Sequence, residues 1–186
     1  MNVLILTPDR VGSTLLQRLI TIYMQFHSFD RPVINLHELT NGLMKYYSPV
    51  FNAEVLGKPN DWGYYQNLAQ ITELLASVDH YKTSRLAHYH ILNRRDTIEQ
   101  QVPFYNYLNG NFFIISALRE NLFEHVLSWG ITLHSKRLNV YTHQEKVDSF
   151  AKICKDKITI SEHSIVKYLN KYKNYLKWVE DHFAVS

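Results

Sequence analysis

The sequence predicts an α/β fold, with a three-layer, mostly parallel sheet followed by a helical C-terminal part. Three observations carry this reading. Val3-Leu4-Ile5-Leu6 and Phe112 to Leu118 are short unbroken apolar runs, the pattern of strands buried on both faces. Stretches with helical spacing lie between and after them. A short loop after the first run leads straight into a helical pattern, which makes a strand–loop–helix unit. No repeat and no linker rich in Pro, Gly or Ser interrupts the chain, so residues 1–186 are expected to form a single domain.

Taken in order, the first strand covers Val3 to Leu6, and a helix is expected from Ser13 to about His27, with Leu15, Leu16, Leu19, Ile20 and Tyr23 as its apolar face. Asp30-Arg31-Pro32 breaks it, and Val33 to Leu36 is a short extended piece. A polar and aromatic region follows, with a loop at Gly57 to Gly63, a helix over Tyr64 to Ser77 and an extended segment over Val78 to Leu86. Asp96 and Glu99 give a capping pattern ahead of a helix expected to be interrupted near Pro103. The second apolar run then leads to a helix capped by Asn121, with Glu124 three residues on. Beyond Thr142 the chain reads as mostly helical. Ile165, Leu169, Tyr172, Leu176, Val179 and Phe183 mark one face of its last helix.

Composition narrows the classes. With 20 Lys and Arg against 17 Asp and Glu, the net charge of +3 is mild, and the basic residues are scattered rather than clustered as in a nucleic-acid binder. No apolar stretch approaches the roughly 18 residues of a membrane span. No basic region precedes the first apolar run, so no secretory leader is expected. The one cysteine, Cys154, has no internal partner, which fits a cytoplasmic setting.

The loop Thr7-Pro8-Asp9-Arg10-Val11-Gly12-Ser13-Thr14 has the makings of an anion site. Amide N–H groups at a helix start and the positive end of the helix dipole point at one spot. Arg10 adds a fixed charge, and the Ser13 and Thr14 hydroxyls add donors. The nucleotide-kinase loop GxxxxGK[ST] needs a lysine directly after its second glycine. Here the cation instead precedes the glycine by two positions, which removes the main residue of an ATP or GTP reading.

Arg10-Val11-Gly12-Ser13-Thr14 after a first strand resembles the 5′-phosphosulfate loop of sulfotransferases that use 3′-phosphoadenosine 5′-phosphosulfate (PAPS). The second unit strengthens the resemblance. Arg119 ends the apolar run and Ser128 lies on the helix after it, similar to the family's strand–Arg–helix–Ser unit that holds the cofactor's 3′-phosphate. The resemblance therefore implies cofactor binding by Arg10, Val11, Gly12, Ser13, Thr14, Arg119 and Ser128, with Arg10 also neutralising the leaving phosphate. It spans roughly Met1 to Leu133 and implies a P-loop-like fold. The Arg-to-Ser separation is nine here against the family's usual eight, and the Glu120-Asn121 turn has room for the extra residue. The basic Arg-Lys-Gly loop of many members is absent from the sequence.

Sulfuryl transfer to a hydroxyl or amine needs a base for the acceptor and charge stabilisation for the leaving group, and no metal. Glu38 is the first candidate for that base and His37 the second. Glu38 reads equally well as an acidic residue at a helix start. Lys82-Thr83-Ser84 resembles the Lys-Thr-His of cytosolic members with serine in the histidine's place, which leaves His88 and His90 as further candidates. His-x-His also invites a metal reading, but no third ligand is signalled. The aromatic clusters at Tyr46-Tyr47, Trp62 to Tyr65 and Phe104 to Tyr107 read as core and rim, or as a surface for adenine or a flat acceptor. The acceptor that the resemblance implies is a small molecule, a glycan or another hydroxyl or amine compound. The competing readings are a noncatalytic phosphonucleotide-binding protein of the same fold and an RNA-binding module.

Overall fold

All five residues of β1 (Val3–Thr7) are buried, as an apolar run in the middle of a sheet should be. The computed structural model describes residues 1–8, 11–28, 30–39, 68–92, 96–135 and 159–184. Among them, β1 is followed by α1 (Ser13–His27), β2 (Val33–Glu38), α2 (Leu68–Ser77), β3 (Tyr81–Ala87) and α3 (His88–Leu92). Then come α4 (Ile98–Asn111), β4 (Phe113–Ser116), α5 (Leu122–Ser135) and the C-terminal α6 (Glu162–His182). The four strands form one all-parallel sheet in the order β2-β3-β1-β4. No helix among the described residues is long and apolar enough to cross a membrane.

Strand order fixes where the helices go. The step from β1 to β2 runs one way along the sheet, and the steps from β2 to β3 and from β3 to β4 run the other way. Right-handed crossovers then require α1 on one face and α2 and α4 on the other. The packing agrees. Leu4, Leu6, Ile34, Leu36 and Leu86 join Ile71, Leu75, Phe104, Leu108, Tyr175 and Trp178 in the large cluster on the α2, α4 and α6 side. Val3 and Val33, of opposite parity on their strands, meet Met24 of α1 in a separate small cluster.

The α1 boundaries agree with the sequence, but its buried face does not. Ser13, Gln17, Thr21 and Met24 face inward, whereas Leu15, Leu19, Ile22, Tyr23 and Phe26 are exposed. The cause is the sheet surface beneath, which is polar around Thr83 and Asn35. Gln17 Nε2 donates to the Thr83 carbonyl (3.2 Å), the Thr21 and Thr83 hydroxyls are 2.6 Å apart, and Asn35 Nδ2 donates to Thr21 Oγ1 (3.2 Å). Leucines set against those groups would leave them unsatisfied at a cost of about 1–3 kcal/mol each.

Four other expectations are corrected, the last of them in part. The helix α4 is continuous through Pro103, because its buried Phe104, Tyr105 and Leu108 offset the lost hydrogen bond. Its N-cap is Thr97 rather than Asp96, with the Thr97 N–H donating to Gln100 Oε1 (2.9 Å). Strand β4 is shorter than the apolar run that announced it, since Asn111 still belongs to α4 and Phe112 caps it. On α6 the expected face is right at Val179 and Phe183, which are buried, and at Leu176, which packs against the core, but Leu169 is exposed and Tyr168, Tyr175 and Trp178 are buried beside them. Trp178 Nε1 donates to the Tyr105 hydroxyl (3.1 Å), which ties α6 to α4.

Candidate functional site

Strand order changes direction at β1, so the crevice beyond its carboxyl end is where an open α/β sheet binds ligands. The turn there is built for close approach. Gly12 has φ +79°, the left-handed region that costs glycine nothing, and α1 begins directly after it. The N–H groups of Leu15 and Leu16 bond to the Gly12 carbonyl (3.0 and 3.2 Å). Those of Ser13 and Thr14, ahead of them, are the donors that a helix start leaves without an intrahelical acceptor. No acidic residue stands in the first turn of α1 to oppose an anion. Val11 is half-buried beside Gly12, and Ser13 is buried. Arg10 lies outside the described residues.

A residue that the sequence reading passed over sits at the centre of this edge. Arg85, near the carboxyl end of β3, is buried, and its Nη1 donates to Ser13 Oγ (3.0 Å) and Thr14 Oγ1 (2.7 Å). Its Nη2 is paired with Glu38 Oε1, with the two side chains 9% and 12% exposed. Each hydroxyl that accepts from the guanidinium keeps its own proton as a donor. The sequence held a signal for this. A strand of a parallel sheet is buried on both faces, and an arginine in such a strand needs a counter-ion.

Glu38 reaches Arg85 through a flaw in the ladder. Asn35 pairs with Thr83, but the next pairing is Glu38 with Arg85, three residues on along β2 against two along β3. Such a bulge reverses the inside–outside alternation. In regular register His37 would stand opposite Arg85; the bulge substitutes Glu38. Glu38 is therefore the last residue of β2, and the segment from residue 40 that a helix start would need lies outside the described residues. His37 lies on β2, and its side chain is outside the described residues.

The remaining candidates divide between two places. Ala117 N bonds to the Leu6 carbonyl (2.9 Å), so the chain after β4 leaves the sheet beside the β1 loop. Arg119 follows two residues later, and its Nη1 donates to the Glu124 carbonyl (3.3 Å) in the first turn of α5. Asn121 caps that helix by accepting from Glu124 N (3.2 Å). Ser128 is half-buried on α5, six residues beyond its start, or roughly 9 Å along the axis.

His88 goes elsewhere. It opens the helix α3, which also includes His90. Its ring stacks on Trp178 (centroids 4.9 Å apart) and lies near Tyr175 (6.2 Å), in the cluster on the face away from α1. The side chain of His90 lies outside the described residues, as do Tyr46-Tyr47, Trp62 to Tyr65 and Cys154. Phe104 and Tyr105, from the third aromatic cluster, are core residues.

Burial, with a smaller push from His182, lowers the His88 pKa from 6.5 to about 4. The folded state thus keeps the ring neutral where the unfolded chain would protonate it. Stability from this group is present above the unfolded value and is lost as pH falls from about 6.5 toward about 4. Between pH 7 and pH 5 the loss should be on the order of 1–2 kcal/mol, allowing for partial solvent access. Urea midpoints of wild type and His88→Phe check this: the variant should lose less stability than wild type across that range, and parallel losses would contradict it.

Comparisons with protein-family models, with curated proteins and with solved structures give no match.

Proposed function

We propose that this chain is a PAPS-dependent sulfotransferase, moving a sulfuryl group from the nucleotide to a hydroxyl or amine acceptor. The observation that carries the reading is the left-handed Gly12 turn, which aims the α1 N-terminus and the Ser13 and Thr14 hydroxyls beyond the end of β1, against a buried arginine. In this reading the 5′-phosphosulfate lies on the loop as on a P-loop, in a three-layer fold. The amides around Gly12, Ser13 and Thr14, with Arg10, stabilise the charge that grows on the leaving phosphate. The acceptor oxygen or nitrogen attacks sulfur, the bond from sulfur to the phosphate oxygen breaks, and that oxygen keeps the electron pair. The acceptor's proton passes to Glu38. Arg119 and Ser128, on the neighbouring β4–α5 unit, hold the 3′-phosphate.

Thermal unfolding with nucleotides tests the reading. The desulfated product, 3′-phosphoadenosine 5′-phosphate, should stabilise the protein by about 2.7 kcal/mol at 100 times its dissociation constant. ATP with magnesium should do so poorly, because the loop lacks the kinase lysine. Equal or greater stabilisation by ATP would remove the sulfotransferase reading.

Arg119 gives a second, sharper expectation. Its exchange for alanine should weaken the 3′,5′-bisphosphate more than the 5′-monophosphate, by roughly 1.5–3 kcal/mol for a lost charged hydrogen bond. Titration of both nucleotides into wild type and Arg119→Ala measures the difference. Equal losses would assign Arg119 to its local contact with the Glu124 carbonyl.

The alternative is a noncatalytic phosphonucleotide-binding protein of the same fold. One observation favours it: the Glu38 carboxylate is already engaged by Arg85.

A further inference from the structure

We infer that Arg85 is a single guanidinium shared between the anion loop and Glu38, so that a bound anion and the Glu38 charge compete for it. The inference rests on the loop being the anion site of the proposed function.

One nitrogen of Arg85 holds both loop hydroxyls and the other holds the carboxylate. The group lies almost entirely out of solvent, where water screens its charge little. An anion that settles against Ser13 and Thr14 therefore enters a space whose positive charge Glu38 has already balanced. Both negative groups then draw on the Arg85 guanidinium, and each weakens its hold on the other. The β2 bulge makes this arrangement specific, since it is what sets a carboxylate rather than His37 opposite Arg85.

By linkage the competition is reciprocal. An anion on the loop draws on Arg85 and loosens its grip on Glu38, leaving the carboxylate freer to accept a proton from an acceptor. Arg85 is in this sense a positioning residue: it acts through Glu38, and it makes the readiness of Glu38 depend on an occupied loop.

Calorimetric titration with inorganic pyrophosphate, and separately with 3′-phosphoadenosine 5′-phosphate, tests the sharing. In Glu38→Gln the side chain keeps its size and its hydrogen bond but loses its charge. Pyrophosphate should then bind about 5- to 10-fold more tightly than to wild type. A merely structural role for the pair would leave affinity unchanged or reduce it, and either result overturns the inference. Pyrophosphate that binds neither protein overturns it too. Tighter pyrophosphate binding in the variant, with the nucleotide bound by neither protein, upholds the sharing and removes the PAPS reading instead. If Glu38→Gln does not fold, Arg85→Lys carries the test. Lysine keeps the charge but not the planar fork, so pyrophosphate affinity should fall at least about fivefold. Unchanged affinity would overturn the inference.

Discussion

In the proposed reaction, Glu38→Gln should slow sulfuryl transfer about 10²- to 10⁴-fold without weakening nucleotide binding. The substitution removes the basic oxygen and keeps an amide that still accepts a hydrogen bond from Arg85, so the fold at the end of β2 should survive. Loss of turnover combined with unchanged or tighter binding would separate chemistry from cofactor recognition. Steady-state rates with an identified acceptor, beside titration of the nucleotide, give both quantities. His37→Ala, His88→Ala and His90→Ala belong in the same series. His88→Ala should retain turnover, because that ring stacks on Trp178 in the core on the other face of the sheet. Full activity in Glu38→Gln with collapse in His37→Ala would move the base to the neighbouring residue on β2.

Removal of Arg85 should be the most destabilising single change at the site. Arg85→Met strips the counter-ion from a carboxylate that is only 12% exposed, and breaking a buried pair in this way costs about 3–5 kcal/mol. For a chain of this size that lowers the melting temperature by on the order of 10 °C. The penalty comes mainly from the charge left behind. The double variant Arg85→Met with Glu38→Leu should therefore recover most of the loss, since apolar residues in place of a buried ion pair are often neutral or better. Urea midpoints of the two single variants and the double close the cycle. A loss under about 1 kcal/mol in Arg85→Met would mean that water screens the pair as it does at a surface.

Much of the frame was legible in the sequence because it depends on local rules. An unbroken apolar run, a glycine turn and a helical stretch gave β1, the loop and the bounds of α1. The helix interior was harder. The apolar spacing of Leu15, Leu19 and Tyr23 pointed to a buried face, yet the sheet beneath presents Thr83 and Asn35, and Gln17 and Thr21 answer those groups instead. Periodicity identifies a helix and two candidate faces; what lies opposite decides which face is buried.

The site followed the same division. The Gly12-Ser13-Thr14 turn was readable because its chemistry is contiguous in the chain. The pairing of Glu38 with Arg85 joins residues 47 apart and depends on an irregularity between β2 and β3, which no spacing within either strand reveals. Likeness to Lys-Thr-His also drew attention to Lys82-Thr83-Ser84, and the residue that meets the loop is the next one along. A charged residue inside a strand of a parallel sheet was the available clue.

The proposed function requires the β1–α1 turn to hold a 3′-phosphorylated adenine nucleotide, and calorimetric titration of the wild-type protein measures that directly. Titration with 3′-phosphoadenosine 5′-phosphate should give saturable one-site binding. The 5′-monophosphate should bind at least about tenfold more weakly, since it lacks the charged hydrogen bonds to the 3′-phosphate. ATP with magnesium should also bind more weakly than the bisphosphate. No heat from the bisphosphate at millimolar concentration, or tighter binding of ATP, would contradict the account.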